Sequence, residues 1–205
     1  MNVDAGHEAE NAAHGAARSD AIAAAVRRAV PSAGSLTLLD YGCGPGHIGL
    51  RLAGDFGRVI MADTDPVVAE QARAAGAGLG NVEVRVMDLT RTVPPDVRAD
   101  VVVSSLAWHH IADLDGLLEA FPLVAPGGRL LVADLDYDGG AYHAGQPEFA
   151  HIVGYHRAEL VELVGRHGYG GVAVADLWRG TKWIAGRRTP VSLFLLTAAI
   201  PGPAR

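Results

Sequence analysis

The stretch LTLLDYGCGPGHIGL, residues Leu36 to Leu50, decides how the rest of the chain is read. It passes from a short apolar strand through an acidic residue into a glycine-rich turn, then into the first turn of a helix. Asp40, Gly42, Gly44 and Gly46 fall at alternate positions. Glycine at such a turn permits positive φ and lets a ligand come close to bare backbone. The helix that follows presents unpaired N–H groups, which suit an anionic group or a carboxylate.

The chain around it is bounded by size and composition. A length of 205 residues fits one domain, read here as 1–205. Hydrophobic residues make up 49% and aromatics only 6%, so the core must consist mostly of Ala, Val and Leu. A net charge of −6 with no basic run argues against a nucleic-acid partner. The single cysteine, Cys43, excludes an internal disulfide framework and fits a reducing compartment; in the glycine loop it reads as a small spacer. Residues 1–20 are polar and alanine-rich, without a signal pattern. The longest apolar run, Val191–Ile200, is interrupted by Ser192 and Thr197 and is too short to span a bilayer. A cytoplasmic protein with no membrane partner is expected. Its Ala, Gly and Arg content points to a GC-rich bacterial genome, and nothing sets its oligomeric state.

Strand and helix patterns alternate. Strands are predicted at Leu36–Tyr41, Arg58–Ala62, Val82–Met87, Asp100–Ser104 and Arg129–Ala133, apolar at consecutive positions as in a parallel sheet buried on both faces. Helices are predicted at Ile48–Ala53, Pro66–Ala75, Leu114–Val124 and Arg157–His167, with an earlier one from a Ser19-Asp20 cap to about Val30. Residues 1–16 lack periodicity and are expected to be mobile. Residues 137–156 read as a polar loop or lid. Two last strands, Val172–Leu177 and Val191–Thr197, are expected to pair antiparallel as a wide hairpin across the basic segment Trp178–Arg188.

Read as D-x-G-x-G-x-G after a strand, the opening stretch is a nucleotide-binding loop. The same residues also spell G-x-G-x-x-G at Gly44, Gly46 and Gly49, the dinucleotide fingerprint, with Asp63 nineteen positions after Gly44. That fingerprint starts directly after its strand, whereas Gly44 stands well beyond Leu39, and it gives Asp40 no role. Three further motifs lie in register. Asp63, at the end of VIMAD with Thr64 beside it, can accept ribose hydroxyls. Asp88, in VMDLT, can accept an adenine amino group while the Leu89 N–H meets a ring nitrogen and Met87 or Leu89 packs on the ring. Ser104 and Ser105, after strand four, would meet the rest of the ligand through backbone carbonyls.

These residues carry a resemblance. LLDYGCGPG, VIMADTDP, VMDL, SSLAWHHI and LVAPGGRLLVADL are similar to the small class I S-adenosylmethionine (SAM)-dependent methyltransferases, in the subgroup related to ubiquinone and menaquinone methyltransferases. The resemblance runs from about Leu36 to Ile200. It implies a Rossmann-like seven-stranded α/β sheet, mostly parallel with an antiparallel C-terminal hairpin strand and helices on both faces. It implies SAM as cofactor, S-adenosylhomocysteine as product and a small-molecule methyl acceptor. Gly42 and Gly44 then serve the methionine end, Asp40 its amino group, Asp63 the ribose and Asp88 the adenine. Residues 1–30 lack the aromatics that relatives use for closure, and Ile152-Val153-Gly154-Tyr155 replaces their His-His, with His151 an approximate substitute.

Methyl transfer to a hydroxyl needs a base, and histidine has the matching pKa. His109 is expected to face the acceptor, with His110 as its buried anchor, and His143 is the second catalytic candidate. Trp108, Tyr142, His151 and Tyr155 are expected to line the acceptor pocket, and Lys182, Arg187 and Arg188 to form a solvated hairpin tip. No His/Asp spacing reads as a metal site. O-methylation is favoured over N-, S- or C-methylation. The alternatives are an NAD(P)-dependent reductase, or a SAM-binding regulatory module without catalysis.

Overall fold

Strands that are apolar at every position fit only where both faces are covered, and the chain puts them there. The computed structural model describes residues 3–144 and 153–203. In it β1 (Thr37–Tyr41), β2 (Arg58–Asp63), β3 (Val82–Val86), β4 (Val101–Ser105) and β5 (Arg129–Leu135) pair in parallel. Antiparallel β7 (Arg187–Ala199) joins β5, and β6 (Gly170–Ile184) forms the edge, giving the order β3-β2-β1-β4-β5-β7-β6. Leu38, Val59 and Val101 pack on one face with Ile22 and Val26 of α1 (Val3–Ala29), Leu52 of α2 (Gly49–Leu52) and Ala72 of α3 (Pro66–Ala75). Leu39, Ile60 and Val102 pack on the other with Phe121 of α4 (Leu114–Val124) and Val164 of α5 (Arg157–Arg166). Each fully buried aliphatic side chain contributes about 1.5–3 kcal/mol. Strand order reverses between β1 and β4, which opens a crevice at the carboxyl ends of the strands. The seven-stranded, mostly parallel sheet with its antiparallel hairpin is the expected architecture. Among the described residues no helix is long and apolar enough to cross a membrane.

Two expectations fail. Residues 3–16 are helical, continuous with the helix expected to start at Ser19; Ser19 sits inside α1 and donates to the Gly15 carbonyl at 3.0 Å. Alanine, the best helix former, carries this segment without an apolar stripe, because the partners of its first turns are polar. Asn11 Nδ2 donates to the Trp183 carbonyl at 3.0 Å and its Oδ1 accepts from the Trp183 N–H at 2.8 Å, copying a strand partner along the exposed edge of β6. Glu10 accepts from the Trp183 indole at 2.7 Å, and His7 stacks on that indole at 3.7 Å. Asn11→Ala is expected to lower stability by about 1–3 kcal/mol by leaving the Trp183 backbone groups without partners, read as a lower midpoint in thermal unfolding.

The hairpin is also tighter than expected. β6 and β7 run through the basic segment and turn at Ala185-Gly186, where φ is positive at both residues, 46° and 73°. The cationic side chains hid this strand, since one face of an antiparallel edge pair tolerates them. Arg187 and Arg188 flank that turn and are exposed, as expected of a solvated tip, with Arg188 also reaching Glu10 at 2.8 Å; Lys182 instead lies over the Tyr142 ring at 4.1 Å.

Candidate active site

The crevice is built from strand ends. Gly42 has φ of 72°, and a Cβ there would lie 2.4 Å from the Ala107 Cβ, so only glycine lets the β1 loop pass the end of β4. Asp63, ending β2, accepts from the Gly44 N–H at 2.9 Å and from the Asp65 N–H at 3.0 Å. It fastens the glycine loop, while Asp65 caps α3 by accepting from Val67 at 2.8 Å. Asp88 accepts from the Thr90 N–H and hydroxyl at 3.0 and 2.6 Å. Asp63, Thr64, Asp88, Gly42, Gly44 and His110 line one cavity of about 540 Å³. Across the loop, Asp40, Arg18, His47 and Leu106 line a smaller one of about 160 Å³. Leu106, with φ of 53°, lines both, an uncommon backbone state for a branched residue.

Asp40 is the most perturbed carboxyl in this crevice. Its Oδ2 accepts from the Gly49 N–H at 2.8 Å, whereas Oδ1 is buried with no protein partner. Burial raises its pKa to about 7, the Gly49 bond opposes that, and nearby Asp63 adds to the rise. Burial also pushes the Cys43 thiol up, so Cys43 behaves as an inert spacer.

Several expected positions are corrected. The Leu89 N–H donates to the Tyr41 hydroxyl at 3.0 Å, so it is not open to a ring nitrogen, and Leu89 and Met87 belong to the core. The Ser104 hydroxyl is buried and donates to the Tyr41 carbonyl at 2.7 Å. Trp108 and Tyr155 are core residues rather than pocket walls: Trp108 is fully buried beside Phe121, and Tyr155 meets Phe194 edge-on. The roles expected for His109 and His110 are reversed in burial. His109 is 1% exposed and its Nδ1 pairs with Asp134 Oδ1 at 2.6 Å, while His110 is exposed and lines the larger cavity. His151 lies outside the described residues.

Asp134 is the buried acid beside His109 that the sequence reading did not single out. Fully buried at the end of β5, it also accepts from the Trp108 N–H at 3.0 Å, and so locks the turn carrying His109. Its signal was an acid inside the apolar run LLVADL. Beyond it, Asp138 accepts from the N–H groups of Gly140, Ala141 and Tyr142 at 2.8, 3.1 and 2.7 Å, folding the short 3-10 turn Ala141–His143 back over the site. That turn brings the His143 ring 5.2 Å from His109 and 5.3 Å from His110. Tyr142 accepts from Arg18 at 3.2 Å. Burial, together with the neighbouring His109, His110 and Lys182, lowers the His143 pKa, which keeps its ring neutral. Ring nitrogens of His109, His110 and His143 all lie within 4.8 Å of one another.

Comparison with known proteins gives the same answer for the fold. Residues 38–128 match the methyltransferase domain family. The chain is 36% identical over 102 residues to an uncharacterized methyltransferase of Mycobacterium bovis, covering 48% of this chain and 50% of that one. Against the first curated relatives the matched stretch spans half of their length or less. A Bacillus halodurans protein thought to be a methyltransferase superposes with a TM-score of 0.74 at 17% identity, covering 87% of this chain and 98% of that one. The phosphoethanolamine N-methyltransferase 2 of Haemonchus contortus, in complex with SAM, superposes with a TM-score of 0.67 at 17% identity, covering 89% and 52%.

Proposed function

We propose that this chain, whose residues 38–128 match the methyltransferase domain family and whose fold superposes on a solved protein thought to be a methyltransferase, transfers a methyl group from SAM to a small-molecule acceptor, releasing S-adenosylhomocysteine. The observation that carries the reading is the row of carboxylates at three successive strand ends of one crevice: Asp40, Asp63 and Asp88. The residues fit the cofactor. Asp40 Oδ1 is a buried acceptor with no protein partner, suited to the ligand's amino group. The second lone pairs on the Asp63 oxygens suit ribose hydroxyls, and Asp88 suits the adenine amino group. Gly44, where a Cβ would meet nothing within 4 Å, leaves open space for the methionine end.

When bound there, SAM supplies an already activated methyl group, so placement of the acceptor carries much of the catalysis. A hydroxyl acceptor suits the site best. His109 Nε2 is buried without a protein partner, and Asp134 holds the Nδ1 side. That arrangement fixes the tautomer with Nε2 as the proton acceptor and stabilises the imidazolium that results. Tyr142, which contacts the His143 ring and accepts from Arg18, would stand on the acceptor side. The acidic balance of the chain favours a small acceptor over a nucleic acid, and its single cysteine fits the cytoplasm.

The test is turnover of methyl-labelled SAM on a panel of phenols, aliphatic alcohols, carboxylic acids, amines and thiols. Label is expected in at least one hydroxyl compound, with S-adenosylhomocysteine formed in equal amount. Label found only in amines or thiols would overturn the preference for oxygen.

A further inference from the structure

Two buried imidazole nitrogens, His109 Nε2 and His143 Nε2, have no hydrogen-bond partner among the described residues, and the rings that bear them stand 5.2 Å apart. Buried donors and acceptors are nearly always satisfied, so a pair of orphans facing one space calls for an occupant. His110 offers a third ring nitrogen, and the ligand atoms of the three residues lie within 4.8 Å of one another. Asp134 accepts from Nδ1 of His109, the outer-sphere arrangement that orients a metal-ligating histidine.

From this cluster we infer that His109, His110 and His143 form a binding site for a late first-row divalent cation such as zinc or cobalt. The donor set decides the class. Imidazole nitrogen suits zinc, copper, iron and nickel, whereas magnesium and calcium seek oxygen. Three protein ligands leave a fourth position for a water or substrate oxygen, as in catalytic zinc sites. His110 lines the larger cavity, so the fourth position faces the ligand crevice. Nitrogens around one zinc at about 2.1 Å lie roughly 3.4 Å apart, and binding draws the Ala141–His143 turn toward the end of β4. An ion there would hold an acceptor oxygen and lower its pKa. Its bonds would occupy the lone pairs with which His109 and His143 otherwise take protons, so imidazole base catalysis and metal activation exclude each other in one molecule.

The inference does not rest on the methyl-transfer reading, and its test needs neither SAM nor acceptor. Untagged protein stripped with chelator is titrated with cobalt(II), followed by its visible d–d absorption and then by zinc displacement. One cobalt per chain is expected, in a low-coordinate nitrogen environment, and zinc should remove the bands. His143→Ala and His109→Gln should each abolish the bands while circular dichroism still reports a folded chain. Asp134→Asn should weaken binding roughly 10–100-fold. His7→Ala and His14→Ala, in α1, should change nothing. Absence of d–d bands at millimolar cobalt would overturn the site, as would bands that survive in a folded His143→Ala protein.

Discussion

In metal-free protein, His109→Ala is expected to turn over a hydroxyl acceptor roughly 10²–10⁴ times more slowly than the parent, the usual contribution of a positioned general base. The fall should lie in kcat, with little change in SAM affinity, because His109 is not among the carboxylates and glycines proposed to hold SAM. Raising the pH should narrow the gap as hydroxide replaces the missing base. The substitution also strips Asp134 Oδ1 of its histidine partner, so some stability is lost with it. Asp134→Asn keeps the volume and the Trp108 contact but no longer fixes the tautomer; it should lower kcat in the same direction. Normal turnover of several true acceptors by both His109→Ala and His143→Ala would show that no base is needed, and that catalysis is placement alone.

The second large effect belongs to Asp40. Its carboxyl is pushed up to about 7 in the folded chain, against 3.8 for an unperturbed aspartate, chiefly through burial. Between those values the folded protein holds a proton that the unfolded chain releases. The stabilisation from this group is therefore fully present below about pH 4 and is lost as pH rises to about 7, flattening above that. At about 1.4 kcal/mol per unit, the loss is on the order of 4 kcal/mol across the window. Asp40→Asn cannot ionise, so its unfolding free energy should lack this slope. The ligand's cationic amino group favours the ionised form, so SAM should bind more tightly as pH rises from 5 to 7 and should release close to one proton at pH 6. Calorimetry in two buffers of different ionisation enthalpy reads that proton directly. A SAM affinity independent of pH over this range in the parent protein would remove Asp40 from the binding site.

Much of this was legible because local chemistry and tertiary demand coincide. The β1 loop, the Asp65-Pro66 helix start and the apolar strand runs each have one physical use, and each was placed within a residue or two. What was missed depends on partners distant in sequence. The first turns of α1 are held by Trp183, about 170 positions away, through hydrogen bonds that leave no apolar stripe. Asp134 orients His109 from 25 positions away. Trp108 and Tyr155 read as pocket aromatics because aromatic residues near a strand end serve either purpose; only packing against Phe121 and Phe194 decides. Adjacent His109 and His110 differ in burial although their rings touch, and sequence supplied no reason to prefer the observed order.

The central claim is that the crevice binds SAM. It is tested most directly by calorimetric titration of the parent and Asp63→Ala proteins with SAM, S-adenosylhomocysteine and NADH. The account predicts that both adenosyl-sulfur ligands bind the parent, that NADH does not, and that removing the Asp63 carboxylate weakens binding by about 1–3 kcal/mol. Tight binding of NADH with no heat from SAM would contradict it, and would mean that Gly44, Gly46 and Gly49 form a dinucleotide site after all.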